Sequence, residues 1–114
     1  MNLPCAQEAV VPRSKVERYL LNPDHPEGSG KARFFTRFGF RRDDWPGLSA
    51  ALCGHAQTQP VVRIVETEFS TRYVVEGILK SPDGRNPRLR TIWVVDKGSL
   101  APRFITAYPL VRDD

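Results

Sequence analysis

Residues 25–35, HPEGSGKARFF, set a histidine and a lysine on either side of a glycine-containing turn. Histidine is the natural general acid or base near neutral pH. A lysine close by can stabilise the charge that develops on a phosphorane. GSGK also opens a helical pattern, and the free N–H groups of a helix start attract anions. It is not a Walker loop, because G-x-x-x-x-G-K-[ST] is missing and no strand precedes it. His25 and Lys31 are therefore the candidate pair for work on an anionic substrate. His55 falls late in a helical stretch, where a histidine meets the helix dipole. Glu66, Glu68 and Glu76 alternate along strands, and nothing marks two of them as an acid/base pair.

The charge balance supports an acidic partner. Net charge is +4, the pI is near 9.4, and 13 of the 17 cationic side chains are arginine. Arginine's planar fork suits bidentate contact with phosphate. Cys5 and Cys53 with two distant histidines do not supply the tight pair spacing of a zinc site. Neither metal nor cofactor is expected, and Cys53 reads as a small packed hydrophobe. No apolar run approaches the length of a membrane span, and the N-terminus lacks a leader pattern. The chain reads as cytoplasmic, or as a toxin domain delivered into a target cell's cytoplasm.

The elements that must position these residues follow from periodicity. One domain of 114 residues is expected, with residues 1–12 an extended lead-in, 14–57 helical and 61–111 an antiparallel sheet. Ser14 with Glu17 forms a capping-box pattern for the first helix. The second starts at Gly30 or Lys31 and stops at Gly39. The third covers 41–57, capped by Asp43 or Asp44 with Pro46 in its first turn. Beyond Pro60 four β-rich stretches follow, with Pro-Asp-Gly marking a turn at 81–87. The fold class is α+β, N-terminal helices packed on one face of a four-stranded antiparallel β-meander.

Alternation assigns Ile92, Val94, Ile105 and Ala107 to the face under the helices. Thr91, Trp93, Thr106 and Tyr108 are left as a polar-aromatic patch on the open face, with Arg90 at the strand end. Arg33, Arg72 and Arg103 stand at the margin of that patch. Hydroxyl donors, stacking planes and arginines are what a single-stranded nucleic acid uses. Paired threonines and aromatics also stabilise any open sheet face.

The stretches YLLNPDHPEGSGKARFF, PDGR, RTIWVVD and ITAYPL together resemble a bacterial family of domains of unknown function, the 6883 family. The resemblance covers roughly residues 10–110. The helices-then-meander order and the TAYP strand are also similar to the barnase–EndoU–colicin–RelE group of ribonuclease toxins. That resemblance implies metal-independent cleavage of RNA, with His25 and Lys31 contributed from the helical side and Arg90, Thr106 and Tyr108 from the sheet. It also implies a cognate antitoxin or immunity protein as partner. The chain departs from the group in having no second histidine near the first. Two further readings stand beside the toxin-type endoribonuclease. One is a non-catalytic module that binds nucleic acid or protein through the same face; the other is an immunity-type accessory protein.

Overall fold

The computed structural model describes residues 1–110. Val111, the last residue of the expected sheet region, lies outside the described residues. Three helices precede a four-stranded antiparallel sheet, as the change of period at Pro60 predicts. Helix α1 runs over Arg13–Lys15 and widens into a π-type turn at Val16–Leu20; α2 is Ser29–Arg37 and α3 is Trp45–Thr58. The strands are β1 Val61–Glu66, β2 Ser70–Ile78, β3 Arg88–Asp96 and β4 Arg103–Pro109, in the order β1-β2-β3-β4. Leu20 and Phe35 from the helical part, with Leu48 and Leu52 of α3, meet Val75, Leu89, Trp93 and Phe104 of the sheet in one core.

Local differences from the sequence reading have identifiable causes. Residues 1–12 are not merely extended. They contain a 3-10 turn at Ala6–Glu8, bury Leu3 and Ala6, and pair Val10 in parallel with Arg103 at the β4 edge. Pro12, not Ser14, takes the N-cap position of α1, and no side chain caps it. Glu17 instead pairs with Arg13 one turn back. In the π-type turn the Leu21 N–H reaches the Val16 carbonyl at 2.9 Å. This wide turn buries both Leu20 and Leu21 and leaves Tyr19 facing outward, half-buried. Gly39 ends the second helical segment at φ 100°, a left-handed position that suits glycine. A 3-10 turn, Arg42–Asp44, leads into α3, where Pro46 occupies the first turn and Asp44 makes no side-chain cap bond.

The face assignment of β3 is inverted. Thr91 and Trp93 are fully buried on the helix side, and Ile92 lies on the open face with Arg90. The reason is His55 of α3. It lies in the last turn of α3, as expected, but is buried there: its Nδ1 lies 3.1 Å from the Thr91 hydroxyl and its Nε2 lies 3.2 and 3.0 Å from the Gly77 and Leu89 carbonyls. Two carbonyls require the proton on Nε2, so the Thr91 hydroxyl donates to Nδ1 and accepts from the Trp93 indole at 2.8 Å. Every polar atom of this relay is satisfied, which is the condition for burying it. Val94 is buried yet stands outside the main core.

Candidate functional site: a lysine–tyrosine cleft at the β4 edge

β4 carries an irregularity where it meets β3. Ile92 pairs with Thr106 while the adjacent Trp93 pairs with Phe104, leaving Ile105 unmatched. A bulge of this kind bends a strand and re-aims its side chains. Phe104 and Ala107 both enter the core, and Thr106 turns to the helices at the sheet edge.

There it meets Lys31. The Lys31 ammonium donates to the Tyr19 phenol oxygen at 2.5 Å and to Thr106 Oγ1 at 3.0 Å. The Tyr19 and Thr106 hydroxyls are themselves 3.1 Å apart. The ammonium also stands 4.3 Å from the centre of the Tyr108 ring and 5.0 Å from that of Tyr19, a cation–π enclosure on two sides. Partial burial pushes the Tyr19 phenol up. The hydrogen bonds from Lys31 and Thr106, with the charges of Lys31 and Lys15, outweigh that and leave it below the ordinary tyrosine value. A phenolate here would keep both hydrogen bonds, which is why the ionised form is favoured.

His25 lines the same cleft with Lys15, Glu27, Thr106 and Tyr108. Its ring packs edge-on against Tyr19 with centroids 5.0 Å apart. Its Nδ1 accepts the backbone N–H groups of Glu27 and Gly28 at 3.0 and 3.1 Å. With Nδ1 accepting, the ring's N–H is on Nε2. An imidazole so held presents an N–H donor to the cleft. Gly28 makes this loop possible, because a Cβ on it would collide with the Tyr19 carbonyl oxygen.

The remaining expected residues divide. Tyr108 and Thr106 reach the Lys31 cleft. Arg90 does not line it; it sits beside Tyr108 on the open sheet face, donating to Glu76 at 2.7 Å. Arg72 is exposed on the same face, and Arg33 is exposed on α2. Arg103 is tied to Asp96 at 2.8 Å. Thr91 and Trp93, expected to contact nucleic acid, are corrected: both are sealed in the core, where no base can stack on the indole. Tyr19 is the residue that the sequence reading missed. Its spacing in SKVERYLL fits an apolar helical stripe, and only the π-type turn separates it from Leu20. Among the described residues, no three His, Cys, Asp or Glu side chains gather as a metal-binding group, and no helix is long and apolar enough to cross a membrane.

A family model described as "Domain of unknown function (DUF6883)" matches residues 2–111. The chain belongs to this family. No curated protein sequence matches it. Among solved structures, a chain of a contact-dependent growth inhibition toxin–immunity protein complex from Klebsiella pneumoniae 342 superposes with a TM-score of 0.72. The match covers 91% of this chain and 95% of that one at 17% identity, which establishes a common fold. In this DUF6883 member, the HPEGSGK segment supplies His25 and Glu27 to the cleft lining and Lys31 behind its Tyr19 and Thr106 walls, and the TAYP strand supplies Thr106 and Tyr108. The PDGR segment serves that cleft indirectly. Arg85 donates to the Arg37 carbonyl at the end of α2 at 2.6 Å and stacks over Phe38. Asp83 holds Arg85 from its other side at 2.6 Å.

Proposed function

We propose that the chain is a toxin-type endoribonuclease that cleaves RNA without a metal ion at the Lys31 cleft. One observation carries the reading: the Lys31 ammonium, the Tyr19 phenol and the Thr106 hydroxyl lie within 3.1 Å of one another at an open cleft. Tyr19 as phenolate takes the proton of the 2′-hydroxyl, and the 2′-oxygen attacks phosphorus. Lys31 faces the charge that builds on the phosphoryl oxygens. The 5′-oxygen leaves with a proton from Lys31, which recovers it from Tyr19 through their hydrogen bond, so the site ends as it began. Thr106 orients the phosphate, and His25 contributes an N–H donor. The shared fold with a chain of a toxin–immunity complex supports a toxin-type role and a cognate protein partner.

The test is incubation of purified protein with single-stranded RNA in EDTA, beside Lys31→Ala and Tyr19→Phe. The expected result is cleavage by the parent and a loss of about a hundredfold in either variant, the scale of losing one transition-state stabiliser. A folded parent that leaves RNA intact overturns the reading. A second reading, an accessory or immunity-type module that binds protein, draws on the β1 edge and the loop after it. Val62, Ile64 and Phe69 are exposed there at 52%, 43% and 73%. It gains ground if the parent does not cleave.

A further inference from the structure

The open face of the sheet holds a second concavity, about 720 Å³, that the cleavage chemistry leaves unused. Its floor is aliphatic, from Val65, Val74 and Ile92, and Arg63, Arg72 and Arg90 stand along it. Three arginines face one carboxylate, Glu76, so the groove is cationic. Arg63 and Arg72 make no ion pair among the described residues. Arg90 is engaged by Glu76, its cross-strand partner, at 2.7 Å.

Position matters as much as charge. Tyr108 closes one end of this groove and is also a wall of the Lys31 cleft. Arg90 is its cross-strand neighbour on β3. Tyr108's row crosses β2 at Glu76, so Arg72 is four residues along β2 from that row and Arg63, opposite Val74, is about two along. With strands about 4.8 Å apart and about 3.3 Å per residue, each stands roughly 16 Å from Tyr108. A polyanion leaving the Lys31 cleft past Tyr108 therefore meets Arg90 first, and Arg63 and Arg72 farther along the same face.

We propose that this groove holds the single-stranded RNA that flanks the cleaved phosphate, with Tyr108 as the turning point, and that Glu76 restrains Arg90 until a phosphate displaces it. The proposal rests on the Lys31 cleft being the cleavage site. It makes substrate length a determinant of affinity. It also gives Glu76 a negative role, since a carboxylate in a phosphate track repels the ligand it borders.

Binding of 2′-O-methyl oligouridylates, which lack the attacking hydroxyl, reads the groove without cleavage. In the parent, a labelled hexanucleotide should bind at least about tenfold tighter than a trinucleotide at low salt, as neutralising a few further phosphates requires. Arg72→Ala should remove most of that gain and leave trinucleotide binding unchanged. Its salt slope for the hexanucleotide should fall by about 0.7 for each phosphate that arginine had neutralised. Glu76→Gln should tighten the hexanucleotide several-fold. Equal affinity for the two lengths, or an Arg72→Ala protein that binds the hexanucleotide like the parent, overturns the groove. So does a poly-glutamate peptide that binds as tightly as the hexanucleotide, because the surface would then favour acidic protein. Should one of these results appear while trinucleotides are still cleaved in a Lys31-dependent way, the groove alone has failed; if neither length is cleaved, the cleavage reading itself has failed.

Discussion

Lys31 shows how a side chain's partners decide what it can do. A lysine in the first turns of an exposed helix is ordinarily a solvated charge, and Lys31 is instead fixed by two hydroxyls and two aromatic faces. The same neighbours act on Tyr19. Partial burial opposes ionisation, and the Lys31 and Thr106 hydrogen bonds with the nearby lysine charges favour it more strongly. The chain has three tyrosines. One of them should titrate below the ordinary range when phenolate absorbance is followed against pH. That low transition should vanish in Tyr19→Phe and move upward in Lys31→Met, which removes the charge and the hydrogen bond together. A Lys31→Met protein whose lowest tyrosine transition does not move would break the link between the two residues. The sequence marked Lys31, His25, Thr106 and Tyr108 as site candidates, because their types announce chemistry. It carried no such mark for Tyr19, whose spacing also suits a helix stripe, and it could not show His25 committed to its own loop through Nδ1.

Elements place these groups, and two tight connections govern the placement. The loop between α1 and α2 closes on Tyr19 because Gly28 has no side chain. The obstacle to a Cβ is a backbone oxygen, which cannot swing aside as a side chain could. Gly28→Ala should therefore cost about 1–3 kcal/mol of stability, the usual range for overpacking. Its cleavage defect should resemble that of Tyr19→Phe, since the loop carries Lys31 on its far side. Parent-like melting and cleavage in Gly28→Ala would show that the loop relaxes freely. The turn between β2 and β3 works on the other end of α2. The Ser81 hydroxyl, with the Arg85 backbone N–H and guanidinium, holds the Asp83 carboxyl down to about 2. Its contribution is thus present above the unfolded carboxyl value of 3.8 and lost as pH falls toward about 2. PDGR was legible as a turn, but its grip on α2 was not, because that depends on Arg85 reaching Arg37 across 48 positions of sequence. The faces of β3 were misjudged for a related reason. Both faces carry apolar residues, and the aliphatic one reads as core until His55 is seen to give Thr91 a buried partner. Arg90 on the Ile92 face was the one local sign that this side is open.

At the scale of the whole molecule, His55, buried in the last turn of α3, ties that helix to the end of β2 and the start of β3 through three hydrogen bonds. Burial pushes its pKa below the usual histidine value, more than the hydrogen bonds to the Gly77 and Leu89 carbonyls push it up. In the unfolded chain the imidazole titrates near 6.5. Below that pH the unfolded state binds a proton that the folded state resists, so folding weakens as pH falls. The neutral relay's full contribution is present above about pH 6.5 and diminishes below it, by up to roughly 1.4 kcal/mol per pH unit until the folded value is reached. Carboxylates titrate lower, so melting between about pH 7.5 and 5.5 isolates this group from them. The parent should lose stability steadily across that window. His55→Gln, which can keep part of the hydrogen bonding but cannot titrate, should be less stable than the parent at pH 7.5 and nearly flat across the window. His55→Ala should cost about 3 kcal/mol or more, for the cavity and for the Thr91 hydroxyl and two carbonyls left without their partner. A His55→Gln protein with the same acid slope as the parent would place the pH sensitivity elsewhere and leave the relay a packing device alone.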